Sequence, residues 1–331
     1  MLKKFTLLLV STVVCLFIGE WVVRWVAPQY SPSGMIEFEV NSDGVPLLRR
    51  KNATLRQWKN TGDYDVEVNS NSLGLRNHKD FLTVQEDALY IVGDSFAFGH
   101  GVKEIDRFSD ILEVNGVGEV VNIAIPTDIK GYRSLLGYAR LNGAKINRLI
   151  LVLCVENDIH NYSRRDATVG GKGHNIFPAI KQYLTSHSAL YSLLTFVVHH
   201  NPFLISLSHD LGLSVAIQDE FEGPGLVESE IQSSVDEIKK ISYDFNADML
   251  VVVIPPRGLW LGAHRAEAED SYLRLINLLR SERVKTLDLK PDFELSQNPI
   301  QYHFKHDGHW NPAGHKLAAE AIIKYINNNN F

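Results

Sequence analysis

The sequence predicts an α/β fold: about five parallel strands with helices on both faces, preceded by an N-terminal transmembrane helix. Three observations predict it. Short apolar runs at residues 88–92, 120–125, 149–154, 249–254 and 284–287 alternate with helical patterns at about 105–114, 132–142, 228–241, 266–281 and 312–326. The runs are continuously apolar, as strands covered on both faces are. The chain also opens on Lys3 and Lys4, followed by an uncharged stretch from Phe5 to Ile18.

That N-terminal stretch is short of the ~20 residues that cross a bilayer. It continues, however, through Trp21 to Val26, where Glu20 and Arg24 stand four apart and can pair on one helical face. Trp21 and Trp25 share a face and suit the headgroup level. No A-x-A-like cleavage site precedes Pro28, and Cys15 follows Val14 rather than a small residue. An uncleaved anchor over residues 1–27 is therefore favoured over a cleaved signal. Lys3 and Lys4 would stay in the cytoplasm, placing the remainder outside the inner membrane.

Residues 28–87 read as a lead-in with short strands. Residues 64–68 alternate polar and apolar, and residues 69–77 are rich in turn formers. The strand–helix alternation fills 88–326. It is interrupted at 159–226 by a polar loop with Gly170, Gly171 and Gly173 and a helical run over 180–199. That length exceeds a simple connection, so it is an insertion expected to lie over the strand ends. Pro312 falls in the first turn of the last helix. Residues 327–331 are expected to fray.

Composition narrows the class. Charged residues make up 22% of 331, close to the ~25% of globular chains, which excludes a disordered or collagen-like chain. A net charge of -6 offers no basic face for nucleic acid. Cys15 and Cys154 fall in unrelated segments, so no disulfide is expected, and Cys154 reads as a small buried hydrophobe.

Ligands of open parallel sheets bind at the carboxyl ends of the strands. Four polar groups fall there: Gly93, Asp94 and Ser95 after the first strand; Asn122, then Thr127 and Asp128, after the second; Glu156, Asn157 and Asp158 after the third; His306, Asp307 and His309 after the fifth. A serine needs a base to become a nucleophile. His309 can be that base, with Asp307 holding its ring. The backbone N–H groups of Ser95 and Thr127 and the Asn157 amide are candidate oxyanion donors.

The segment IVGDSFAFGHGV over residues 91–102 resembles the nucleophile block of the SGNH (GDSL) hydrolases. Glu156, Asn157 and Asp158 resemble the end of their GxND block, and DGHWNPAGH over 307–315 resembles their C-terminal Asp/His block. NSLGLR over 71–76 resembles a lead-in of anchored members. Order and spacing agree over about 88–326. The resemblance implies a flavodoxin-like three-layer α/β/α fold and ester hydrolysis. It assigns Ser95 as nucleophile, Asn157 as oxyanion donor, and Asp307 and His309 as the rest of the triad, with no cofactor. Three positions depart from the pattern. Thr127 and Val155 stand where glycines are usual, and Asp-x-His replaces Asp-x-x-His. The shorter spacing resembles the alginate O-acetyltransferase branch.

Other readings attach to the same residues. Ser95 can be a helix cap. Asp94 can shape its turn, and Asp158 can be structural. His306 rivals His309 as base. His303, His306, His309 and Asp307 can be read as a zinc set. His100 falls in a loop near the pocket, His315 suits packing, and His199 and His200 suit a helix end. The expected function is removal of an acyl group, acetyl by resemblance, from an extracytoplasmic glycan or lipid. O-acetyl transfer and a non-catalytic glycan-binding module are the alternatives.

Overall fold

The computed structural model describes residues 2–162, 176–210, 225–329 and 331. The loop with Gly170, Gly171 and Gly173 lies outside the described residues. The strands are β1 (Phe38–Val40), β2 (Pro46–Leu48), β3 (Ala53–Trp58), β4 (Asp65–Ser70), β5 (Leu89–Val92), β6 (Val120–Asn122), β7 (Arg148–Cys154), β8 (Asp248–Ile254) and β9 (Lys285–Asp288). The helices are α1 (Leu2–Val26), α2 (Ser95–Phe98), α3 (Phe108–Val114), α4 (Ile129–Leu141), α5 (Val155–Asp158) and α6 (Ile176–His187). They continue with α7 (Ala189–His200), α8 (Pro202–Asp210), α9 (Glu228–Phe245), α10 (Arg265–Ser281), α11 (Lys290–Glu294) and α12 (Pro312–Asn329). Two compact units result: Met1–Met35, Trp58–Asp65 and Thr168–Ala216 form one, and Ile36–Gln57, Val66–Ala167 and Ile217–Phe331 the other.

The larger unit holds a five-stranded parallel sheet in the order β6-β5-β7-β8-β9. Leu89 to Val92, Leu149 to Leu153 and Leu250 to Ile254 are almost wholly buried, so the expectation of strands covered on both faces holds. Helix α3 packs with α12, and α9 packs with α4 and α10. The strand order reverses at β5, between β6 and β7, which opens a crevice at their carboxyl ends. Ser95 follows β5 and Asn157 follows β7, one on each side of it.

Boundaries shift where side chains redirect the backbone. The second apolar run leaves the sheet at Asn122, because the Asn122 Oδ1 accepts from the Ala124 N–H at 2.9 Å and its Nδ2 donates to the Ala97 carbonyl at 2.7 Å. Helix α4 starts earlier than periodicity predicts because Asp128 caps it, accepting from the Gly131 N–H at 2.9 Å. The expected frayed tail is corrected: α12 runs through Asn329, and Phe331 is buried. Its carbonyl accepts from Arg148 Nη2 at 2.8 Å, and its ring lies below Arg148 and Lys285.

In the smaller unit, α1 is the one described helix long and apolar enough to cross a membrane, over Lys3–Val26 with mean hydropathy 2.2. Of the insertion, the described residues 159–162 and 225–226 belong to the larger unit, whereas α6, α7 and α8 belong to this one, with α7 packed on α1. Glu20 makes that contact: its carboxylate accepts from Arg24 Nε at 2.7 Å, Ser188 Oγ at 2.7 Å, and the Ala189 and Leu190 N–H groups at 2.9 and 3.0 Å.

The α3–α12 packing carries a pH dependence. His315 is buried and stacks on Phe108 with centroids 6.1 Å apart. Burial, with Arg107 and Arg76 nearby, pushes its pKa down to about 3. An unfolded histidine titrates near ~6.5, so below that pH the unfolded chain takes a proton that the folded one refuses. The contribution is intact above ~6.5 and is lost as pH falls toward 3, by up to ~1.4 kcal/mol per pH unit. We expect the urea midpoint of the wild type to fall more steeply between about pH 6.5 and 4.5 than that of His315→Gln. Equal slopes would count against this.

Candidate active site

The turn between β5 and α2 must expose one hydroxyl while burying its surroundings. Gly93 is required there, since a Cβ would lie 2.7 Å from Ala97 Cβ and 2.9 Å from Val152 Cβ. Asp94 is buried and caps α2, accepting from the Phe96 N–H at 2.9 Å. Its other oxygen accepts from Asn157 Nδ2 at 3.1 Å. Burial pushes the Asp94 carboxyl upward, partly offset by Asn157. Ser95 is 8% exposed, with its hydroxyl turned to His309.

The segment from Tyr302 to Asn311 delivers the other two groups. The Phe304 N–H donates to the His309 carbonyl at 2.9 Å, and the Asn311 N–H to the Tyr302 carbonyl at 2.9 Å. Asn311 also accepts from the Ala313 and Gly314 N–H groups at 2.9 and 3.1 Å, setting the start of α12. Within this loop Asp307 Oδ1 accepts from the His309 N–H at 3.0 Å and from its ring Nδ1. His309 Nε2 lies 2.7 Å from Ser95 Oγ. Ser95, His309 and Asp307 thus form one hydrogen-bonded chain across residues 214 apart in sequence. With Nδ1 held by a carboxylate, Nε2 is the ring position left to accept the serine proton. Phe96 packs on His309 and Trp310, both with centroids 5.1 Å away.

The remaining expected residues divide. Asn157 sits beside the turn, and one of its two amide hydrogens is committed to Asp94. Thr127 precedes the α4 cap, with its side chain folded over Gly131, where a Cβ would meet Thr127 Oγ1 at 2.1 Å. Asp158 is buried away from solvent, accepting from Tyr132 Oη and the Cys154 N–H, both at 2.7 Å. Burial and Asp94 push its carboxyl well up. It belongs to the core rather than to a pocket surface. His309, not His306, carries the Ser95 contact. His303 is buried near Phe293 and Trp260, and burial with Arg257 nearby pushes its pKa down to about 3.

His100, expected near the pocket, and Arg76, of the lead-in motif, complete the surroundings together with Gln57 and Arg257, which the sequence reading did not single out. His100 stacks on His309 with centroids 4.0 Å apart and planes 19° apart. Gln57 of β3 holds it: Gln57 Oε1 accepts from the Gly101 N–H at 2.9 Å, which orients the amide so that Nε2 donates to His100 Nδ1 at 2.7 Å. Arg76, of the lead-in motif, is buried and donates to the carbonyls of Phe98, Gly99 and Val102 at 3.2, 2.7 and 2.8 Å. Burial and Arg107 push its pKa down to about 9. Arg257, after β8, pairs with Glu156 at 3.0 Å and lies on Gly308, where a Cβ would fall 2.0 Å from Arg257 Nη1. No periodicity marks Gln57 or Arg257, because their roles come from contacts distant in sequence.

Among the described residues one donor set suits a metal: ligand atoms of His100, Asp307 and His309 lie within 4.8 Å of one another. It differs from the expected set, since His303 faces the aromatic cluster instead. Both ring nitrogens of His309 are already engaged, by Asp307 and Ser95. An ion there would have to displace one of them.

Residues 220–331 match the family model described as SGNH hydrolase-like domain, acetyltransferase AlgX. No curated protein matches the chain. Similar solved structures include a G-D-S-L family lipolytic protein from Veillonella parvula, at 10% identity and TM-score 0.41, covering 72% of this chain and 98% of that one. A lipase/acylhydrolase from Enterococcus faecalis matches at 8% identity and TM-score 0.43, covering 73% and 95%. An acetylxylan esterase catalytic mutant from Geobacillus stearothermophilus matches at 8% identity and TM-score 0.38, covering 72% and 93%. Through residues 220–331 the chain resembles the SGNH hydrolase-like family. Its C-terminal third resembles the AlgX acetyltransferase branch.

The Gly308 contact gives a direct check. Gly308→Ala should displace Arg257 and tilt the Asp307–His309 turn. We expect fluorophosphonate labelling of Ser95 to slow by about 10²-fold, the usual cost of an ångström-scale misplacement. Thermal stability should change little. An unchanged labelling rate would show that Arg257 does not support the turn.

Proposed function

We propose that this chain is a serine esterase acting on an acyl ester, acetyl in the first instance, of an extracytoplasmic glycan or lipid. The observation that carries the reading is the hydrogen-bonded chain Ser95–His309–Asp307. Ser95 Oγ attacks the ester carbonyl carbon as His309 Nε2 takes its proton. Asp307 stabilises the imidazolium. The oxyanion is received by the Ser95 and Thr127 N–H groups and the second Asn157 amide hydrogen. His309 then protonates the departing alkoxide, leaving an acyl group on Ser95. Water, activated by the same histidine, releases the acid. The N-terminal helix α1 anchors the chain in the inner membrane, with the catalytic unit outside.

A second reading keeps the first half-reaction and replaces water by a sugar hydroxyl, which makes the enzyme an O-acetyltransferase. The match of residues 220–331 to an acetyltransferase family model favours it.

Fluorophosphonate should label the wild type and not Ser95→Ala. Turnover of p-nitrophenyl acetate should fall by at least about 10³-fold in Ser95→Ala and His309→Ala. Folded wild type that neither labels nor turns over would instead indicate a binding module. Adding oligosaccharide acceptors separates the two readings: acetylated sugar means transfer, and free acetate alone means hydrolysis. Long-chain esters cleaved while acetyl esters are ignored would overturn the acetyl preference. Chelator should leave activity undiminished; its loss, restored by a divalent ion, would move the assignment to the His100–Asp307–His309 donor set.

A further inference from the structure

The anchor helix changes character partway along its length. Residues 3–18 of α1 are exposed throughout, whereas Gly19, Glu20, Arg24 and Ala27 are partly covered and Val23 is buried. The covered positions recur every three to four residues, so they lie on one face. What covers them is α7. A Cβ on Gly19 would lie 3.2 Å from Leu190 Cδ2, and Glu20 binds Ser188, Ala189 and Leu190. Arg24 Nη2 donates to the His187 carbonyl at 2.6 Å, fixing the end of α6 at the same level. Helix α7 then runs outward beside α1. Tyr30, beyond the end of α1, meets Phe196 with centroids 5.1 Å apart, and Asn60 Nδ2 donates to Thr195 Oγ1 at 2.8 Å.

Residues 3–18 span about 24 Å at ~1.5 Å per residue, close to the ~30 Å hydrocarbon core of a bilayer. Protein contacts therefore begin on α1 near the depth at which lipid should end. Trp21 and Trp25 are exposed on its uncovered side, 62% and 86%, as interfacial tryptophans are. The α6–α7 junction is pinned at this level. On α6, Ile180 and Tyr183 are three apart and exposed, 47% and 63%, and Lys181 beside them is exposed too. An apolar pair flanked by a cation is what the headgroup–acyl boundary accommodates.

We infer that α6 and α7 form a collar on the anchor helix, with Ile180 and Tyr183 resting on the lipid surface of the same bilayer. The inference depends on reading α1 as an uncleaved anchor. The collar gives the membrane end of the chain two contacts instead of one.

The test uses the full chain carrying Cys15→Ser, reconstituted in vesicles of phosphatidylethanolamine and phosphatidylglycerol. Single cysteines replace Ile180, Tyr183, Leu194, Phe203, Leu141, Tyr243 or Val13 and carry an environment-sensitive fluorophore. Lipids bearing a doxyl group near the headgroup should quench the labels in Ile180→Cys and Tyr183→Cys, and leave those in Leu141→Cys and Tyr243→Cys bright. The label in Val13→Cys should be quenched by lipids with the doxyl group deep in the acyl chain. If Val13→Cys is quenched but Ile180→Cys and Tyr183→Cys are not, the collar is wrong and the anchor stands. If Val13→Cys is not quenched, the anchor reading fails and the collar with it. Deep quenching in Leu194→Cys and Phe203→Cys would mean that α7 and α8 enter the bilayer, which also overturns the proposal.

Discussion

The buried carboxyl of Asp94 is the interaction around which the crevice is arranged. One oxygen receives the Phe96 N–H and so bends the chain out of β5 into α2; the other receives the Asn157 amide from the end of β7. The two strand ends that flank the switch in strand order are thereby joined by one group. A carboxyl in such a place is expensive to bury and is tolerated only with its oxygens engaged. Its cost is offset by the fixed orientation it gives to both neighbours, Ser95 on one side and Asn157 on the other.

Around that group the structure adds constraints that act on backbone carbonyls and ring planes rather than on reacting atoms. Arg76 gathers three carbonyls from residues 98 to 102. That loop carries His100 to the face of His309, and Gln57 sets the ring's tautomer by donating to Nδ1. The hydrogen-bonded chain is thus restrained from the carboxylate side by Asp307 and from the ring face by His100 and Phe96.

Much of this was legible in the sequence. Strands covered on both faces produce uninterrupted apolar runs, and five such runs give the sheet. The groups at their carboxyl ends could be located because a parallel sheet gathers them on one edge. The limits were set by side chains that act over distance. Asn122 ends β6 three residues before the apolar run ends, which periodicity does not register. Gln57 and Arg257 look like ordinary polar residues until the fold brings them to His100 and Gly308. The pairing of Glu20 with Arg24 was readable as a helical spacing. Its larger role, receiving the first N–H groups of α7, required knowing where residues 188–190 lie.

The short Asp307–Gly308–His309 turn has a consequence for how this chain can vary. Arg257 occupies the volume that a side chain at position 308 would need. The compact loop, the glycine within it and the arginine above it therefore form a single heritable unit. A side chain at position 308 requires the guanidinium of Arg257 to move aside, and loss of the arginine would relax the demand for glycine. In related chains with this abbreviated loop, the two positions should change together, although they stand 51 positions apart in sequence.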